Sequence, residues 1–334
     1  MFFDPSSDNE RKIHGQHTIR VGGLCLFLAA SVGLILKSVF TDLAATSIGL
    51  KLSVFSTVFF LVGFVEDIAS RFSARARLLA LAGISIVATL TIDFPIDSVG
   101  IYEFFGLIPA YPEITWLFVA FVIVGVTNAY NIVDGANGLC AGLGLAALFP
   151  LAWVLFELAN YNLWGFGLIY ISAIFGFFLI NFLSGRIFLG DGGAYLIGFL
   201  CVSFSLIATG PKTNNISPWF AILVNAYPIT ETIFSIIRRC VVRVSPFQPD
   251  SYHMHTLCFN LLQRRLSYKA ISPSIINSLS AIPILVSSVV VSFLALVYRK
   301  DSQYCVALLT LYVFAYLTAY SFLRKMNSKQ KHTN

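Results

Sequence analysis

Apolar runs of roughly 15 to 25 residues recur from one end of this chain to the other, and that recurrence constrains the fold more than anything else in it. A helix of about 20 apolar residues crosses about 30 Å of hydrocarbon, so each run reads as a membrane span. Ten can be placed: 21–39, 50–66, 78–92, 115–131, 138–158, 163–183, 193–209, 217–236, 273–297 and 303–323. Only 11% of the residues are charged, against about 25% in a typical soluble domain, and 57% are hydrophobic. A soluble core cannot hide that much apolar surface; a bilayer can. The expected fold class is an all-α polytopic membrane protein of about ten transmembrane helices, a single domain over 1–334. The longest segment between spans, 238–272, is a loop too short to be a soluble domain, and the polar tail 324–334 reads as disordered. The first run reads as an uncleaved span, because its flank is long and mixed in charge and further spans follow. The six Cys show no CxxC spacing and mostly lie in or beside spans, which makes them apolar filler.

If the spans alternate in direction, Lys and Arg separate sharply. Seventeen fall on one side, among them Arg20, Arg77, Arg238 and Arg239, and five on the other. The excess marks the cytoplasmic side and puts both termini there. The net charge of +6 is what basic loops beside an anionic leaflet produce, and it requires no nucleic acid. On this reading the 238–272 loop is cytoplasmic, as are all the unusual polar sequences.

Acids are scarce, sixteen in all, so their positions carry information. Glu66 and Asp67 end the second span in Gly63-Phe-Val-Glu66-Asp67. Asp134 lies in Asn128-Ala-Tyr-Asn131-Ile-Val-Asp134-Gly135-Ala-Asn137-Gly138, and Asp191 in Phe188-Leu-Gly190-Asp191-Gly192-Gly193. Carboxylates at membrane depth are costly and tend to line polar cavities. Any one of them is equally well read as a solvated helix cap, and the three Asn as interhelical hydrogen-bonding glue. Three acidic, glycine-rich clusters on one face argue instead for a shared site. Hard carboxylate oxygens, with waters and substrate phosphate, suit Mg²⁺, with Mn²⁺ as the substitute. Gly190 and its neighbours let backbone approach a ligand, and a span that starts there offers helix N–H groups to phosphate. Neither a Walker A nor a dinucleotide fingerprint is present.

The long loop supplies Arg238 and Arg239, then Pro249-Asp250-Ser-Tyr-His253-Met-His255. Two His without a CxxC or HExxH partner do not make a zinc site, so anion contact by His and Arg is the expectation. His14 and Arg20, just before Gly22-Gly23, are placed to meet a lipid phosphate at the membrane surface.

Five stretches in this order, His14 to Gly23, Gly63 to Asp67 with Ser73 and Arg77-Leu78, Asn128 to Leu139, Phe188 to Ala194, and Pro249 to His255, resemble the polyprenyl-phosphate N-acetylhexosamine-1-phosphate transferases. The resemblance covers nearly the whole chain. It implies Mg²⁺-dependent transfer of a sugar-1-phosphate from a UDP-N-acetylhexosamine to undecaprenyl phosphate, with release of UMP, at the bacterial inner membrane. The family's acidic pair falls on Glu66 and Asp67, its metal-ligand aspartate on Asp191, its nucleotide-side motif on Asn128, Asn131 and Asp134, and its histidine motif on His253 and His255. Three positions depart from the family's usual pattern: Glu66 stands for Asp, Asn137 for a frequent second Asp, and Thr256 for a further His. The family also usually has one more span before the first motif, on which this sequence almost begins.

On this resemblance the expected mechanism has Asp191 holding the metal against the diphosphate, with Arg and His of 238–255 on the sugar phosphate. Asp67 either takes a proton, orients the lipid phosphate or serves as a second metal ligand. The product would start a cell-surface polysaccharide, with lipopolysaccharide O-antigen the leading candidate. A homodimer in the membrane lipid is compatible with all of this. The rival class, a transporter with a cytoplasm-facing polar site, calls for inverted repeats and polar residues at the bilayer midplane, and the sequence has neither.

Overall fold

A computed structural model of the chain describes residues 20–40, 47–69, 72–92, 94, 112–210, 216–245, 250–266, 269 and 271–329. Within them lie twelve helices: α1 (Gly22–Phe40), α2 (Ser47–Ala69), α3 (Ala74–Thr91), α4 (Pro112–Val133), α5 (Leu139–Glu157), α6 (Tyr161–Ser184), α7 (Gly190–Ala208), α8 (Pro218–Val224), α9 (Ala226–Val241), α10 (Met254–Leu266), α11 (Pro273–Val297) and α12 (Ser302–Lys329). Nine of these are long and apolar enough to cross a membrane. The all-α polytopic reading therefore holds. Large apolar side chains such as Leu79, Phe121, Leu183, Phe293 and Phe314 stand exposed on the outer surface. In water that would drive aggregation; against lipid it costs nothing.

The remaining expected span, 217–236, is not one rod. It is the pair α8 and α9, bent by 78° at Asn225. The Asn225 side-chain amide donates to the Ala221 carbonyl at 2.9 Å and to Ser205 Oγ at 3.0 Å, while its oxygen accepts from the Tyr130 hydroxyl at 3.0 Å. Pro228, three residues on, has no N–H to return to the preceding turn. The Asn225 side chain thus takes up a carbonyl at the break and is itself held by Tyr130 and Ser205, the kind of polar support that a broken helix at membrane depth needs. Beyond the bend α9 is amphipathic. Glu231, Ser235 and Arg239, spaced four apart, are buried, while Ile233, Ile237 and Val241 are exposed.

Two further expectations need correction. The 238–272 segment is not all loop: α9 runs on to Val241, and α10 fills Met254–Leu266. The tail expected to be disordered continues α12 as far as Lys329; residues 330–334 lie outside the described ones.

Helix α7 is the axis of the bundle. Every residue from Gly192 to Ala208 is buried, and α1, α2, α4 and α5 pack around it. The chain entering α1 is tied to the strand-like stretch before α7, with Gly22 N–H on the Phe188 carbonyl at 2.9 Å and Gly23 N–H on the Leu189 carbonyl at 2.8 Å. This brings the first sequence motif beside the fourth.

Candidate active site at the amino end of α7

Gly190 starts α7 with φ +76°, a left-handed conformation that a side chain would resist. The turn exposes the first amides of the helix, and Asp67 of α2 covers them. Its Oδ1 accepts the Asp191 N–H and its Oδ2 the Gly192 N–H, both at 3.0 Å. Asp67 is therefore a helix cap supplied from another helix, with its charge on the positive end of the α7 dipole. The amides that the sequence offered to a phosphate are already in use. Gly190 serves this turn, because a Cβ there would run into the Asp67 carboxylate.

Asp191 points away from the cap. Its Oδ1 accepts the Asn131 side-chain amide at 2.9 Å, and its Oδ2 is ion-paired with Arg77 of α3. Arg77 also reaches Glu66 Oε1 at 3.8 Å, and Glu66 Oε2 caps the Phe72 N–H at 3.1 Å. Arg77 bridges two of the acidic motifs, and Glu66 acts at the rim. Arg20 stands close enough to act electrostatically on Asp67 and Asp134.

Asn128 and Asn131 share one face of α4, three residues apart, and both are half-buried. The helix ends at Val133, and Asp134 follows, half-buried. Among the described residues none hydrogen-bonds the Asp134 carboxyl. Burial and the like charges of Asp191 and Asp67, with Arg20 opposing, push its pKa up to about 8. The next residue, Gly135, packs against the His255 ring, so that a Cβ at 135 would fall on Nε2. His255 is buried, and among the described residues its Nδ1 has no hydrogen-bond partner. Burial and the neighbouring His253 hold its pKa down at about 4, so it is neutral at pH 7. The two imidazoles are parallel, with centroids 5.5 Å apart.

The fold therefore unites Asp67, Asp134, Asp191, Asn131, Arg20, His253 and His255 at one end of the bundle. Three expected site residues have other employment. Asn137, only 3% exposed, is built into the α11 contact: its side-chain amide donates to Ser274 and Ser278, and its N–H to Asn277 Oδ1 at 2.9 Å. The glue reading holds for this Asn. Arg238 is ion-paired with Asp250 and surrounded by Phe234, Tyr252 and Tyr320 at 5.7–6.0 Å. Arg239 Nε reaches the same Asp250 at 3.4 Å. These two arginines anchor the histidine loop to α9. Burial raises the Asp250 pKa, but Arg238, the Tyr252 N–H and His253 together outweigh it and hold the carboxyl below its ordinary value. His14 lies outside the described residues. Sequence reasoning passed over Glu231, fully buried beside His253. The signal was available: an acid inside an apolar run is itself a flag.

Among the described residues no three His, Cys, Asp or Glu side chains converge as a metal cage. Mg²⁺ does not need one, since it is held by one or two carboxylates plus waters and phosphate oxygens. The donor set here fits that pattern. Asp134 has acceptor oxygens that no described donor meets, and it faces the like charge of Asp191. That is an acidic cluster short of positive charge.

Fold and site together define a polytopic membrane protein with an acidic, imidazole-flanked polar site at one end of its bundle. Residues 50–209 match the model of glycosyl transferase family 4, a stretch that carries all three acidic clusters and stops short of the histidines. Over those residues the chain is similar to that family. It is 28% identical over 264 residues, 77% of this chain and 70% of the relative, to a probable undecaprenyl-phosphate N-acetylglucosaminyl 1-phosphate transferase of Bacillus subtilis (strain 168). A decaprenyl-phosphate N-acetylglucosaminephosphotransferase of Mycolicibacterium smegmatis is 28% identical over 279 residues, 74% of this chain and 66% of its own. The undecaprenyl-phosphate alpha-N-acetylglucosaminyl 1-phosphate transferase of Escherichia coli (strain K12) is 30% identical over 202 residues, 58% and 54% of the two chains.

Proposed function

We propose that this protein transfers an N-acetylhexosamine-1-phosphate from a UDP-sugar to undecaprenyl phosphate at the cytoplasmic face of a bacterial inner membrane, releasing UMP. The observation that carries the reading is the meeting of Asp191, Asp134 and His255 from three distant stretches at one end of the bundle. N-acetylglucosamine, named in all three relatives, is the first sugar to test. The product would initiate a cell-surface polysaccharide, with O-antigen as the first pathway to examine.

One phosphoanhydride replaces another, so the reaction is close to thermoneutral and catalysis is mostly positioning and charge neutralisation. Asp191 and Asp134 would hold Mg²⁺, with Mn²⁺ as substitute, and Asp67 would fix the α7 turn that presents Asp191. When bound, the ion supplies charge neutralisation on the diphosphate and the departing UMP. Asn131 holds the Asp191 carboxylate in place by Oδ1, and Arg77 adds a cation at the other oxygen, Oδ2. Arg20 is placed for the lipid phosphate at the start of α1, and His253 for a substrate phosphate. A phosphate monoester is largely ionised at pH 7, its second pKa being about 6, so the acceptor needs little help from a base.

The test uses the purified chain in detergent with undecaprenyl phosphate, Mg²⁺ and a panel of UDP-N-acetylhexosamines. Release of UMP that needs both the lipid and the metal, and stops with EDTA, is the expected result. No release with any sugar from folded protein would overturn the proposal.

A further inference from the structure

Glu231 lies in the middle of α9 and is completely shielded from solvent. An ionised carboxylate there is tolerable only if its oxygens are fully hydrogen-bonded. They are. Oε1 faces His253 Nδ1 at 2.9 Å and accepts the Ser235 hydroxyl at 3.3 Å. Oε2 accepts the Tyr316 hydroxyl at 2.8 Å, the Tyr227 hydroxyl at 3.3 Å and the Met254 N–H at 3.3 Å. These donors come from α9, α10, α12 and the loop before α10, so one side chain gathers the elements that carry the histidine motif.

A carboxylate only accepts, so the His253 nitrogen it faces must be the one that bears hydrogen. That fixes the ring. Nδ1 points inward to Glu231, and Nε2 points to the loop side, 4.0 Å from Asp250 Oδ2. One face of the ring lies against His255, which reaches Gly135 beside Asp134. The side chain keeps 15% of its exposure, so it is reachable from one direction.

We propose that Glu231 is a positioning residue for the transfer reaction proposed above, holding His253 by Nδ1 so that Nε2 meets a substrate phosphate oxygen. The inference rests on that reading for what Nε2 contacts, but not for the pairing itself. A carboxylate behind an imidazole also stabilises its cationic form, the form that donates from Nε2. Simple glue between α9 and α12 needs the tyrosine contacts and no charge. The charged and titratable groups around His253 are Glu231, Arg238 and Arg239 from α9, Asp250 from the loop, His255 from α10 and Tyr316 from α12.

The experiment has two arms on the full chain. In the first, ¹⁵N-histidine spectra are recorded at pH 9 for wild type and for His253→Gln, which identifies the His253 signals among five histidines. Hydrogen on Nδ1 with Nε2 bare is expected; hydrogen on Nε2 alone overturns the pairing, whether or not the protein is a transferase. In the second, UMP release is compared for wild type, Glu231→Gln, His253→Gln and the double variant. Glu231→Gln should lower kcat about 10- to 100-fold and move the alkaline limb of the pH profile to lower pH. The double variant should be no slower than His253→Gln. An unchanged pH profile, or losses that multiply in the double variant, would refute the positioning role. A rise in KM for the UDP-sugar alone, or for undecaprenyl phosphate alone, would identify the phosphate that Nε2 meets. Inactive wild-type protein would defeat the functional reading and leave the first arm to judge the pairing.

Discussion

Replacing Gly63 by Ala should disable this protein although position 63 carries no functional group. Helices α2 and α7 touch there, backbone to backbone: a Cβ on Gly63 would lie 2.5 Å from the Asp191 carbonyl oxygen. Ordinary contact needs about 3.5 Å, so α7 must retreat by about 1 Å at its first turn. Its backbone cannot rotate out of the way as a side chain can. The same retreat stretches the two 3.0 Å bonds by which Asp67 caps that turn. Overpacking costs about 1–3 kcal/mol, and a lost hydrogen bond to a charged group about 1.5–3 kcal/mol. The variant should therefore lose roughly 3 kcal/mol or more. Displacing Asp191 by about 1 Å should slow turnover on the order of 10²-fold. The control is Gly83→Ala on α3, where a Cβ meets nothing within 4 Å. There the gain in helix propensity should stabilise by about 0.5–1 kcal/mol. Thermal unfolding in detergent and UMP release, measured on both variants, decide the matter. Equal Tm and equal rate for Gly63→Ala and Gly83→Ala would refute the packing argument.

Other consequences can be checked with the same two assays. The Asp134 pKa is raised on folding to about 8 from an ordinary 3.8, so between those values the folded state holds more protons than the unfolded. In EDTA, stability should thus fall as pH rises from about 4 to 8, by at most about 1.4 kcal/mol per pH unit, and Asp134→Asn should flatten the curve. Asp191→Asn should reduce UMP release below 1 part in about 10², since its two oxygens are the ones that Asn131 and Arg77 orient; retained activity would sink the metal-site scheme. Asn137→Ala removes buried donors to Ser274 and Ser278 and should cost about 1–2 kcal/mol of stability with KM unchanged. A raised KM at unchanged Tm would restore Asn137 to the substrate site.

The spans were legible because hydrocarbon thickness sets one length scale for every helix, and nine of the ten runs are single helices. The tenth failed as a rod for a reason that a hydropathy window does not register. The bend at Asn225 depends on Tyr130 and Ser205, which lie far away in sequence. Acid placement located Asp67, Asp134 and Asp191 because charge is scarce in such a chain. It could not divide labour among them. Asp67 turned out to spend both oxygens on backbone amides, a distinction that depends on where α7 begins relative to α2. Asn137 and the two arginines misled for the same reason: a polar side chain near a site has the same spelling whether it faces ligand or framework.

The capped start of α7 changes where neutralising charge must come from. A bare helix terminus would offer its own amides to a phosphate, but here Asp67 has taken them and left its negative charge beside Asp191. This end of the bundle gathers the carboxyl groups of Asp67, Asp134 and Asp191. Such a site is repulsive unless cations intervene. Arg77 and Arg20 supply two from the protein, while burial, with the like charges of Asp191 and Asp67, raises the Asp134 pKa to about 8. On the proposed reading, metal and nucleotide should accordingly bind in concert. UDP-sugar affinity should collapse without Mg²⁺, and Mg²⁺ affinity should stay weak without UDP-sugar. Titration calorimetry on the wild-type protein would show it, and tight binding of the nucleotide in EDTA would mean that the arginines alone suffice.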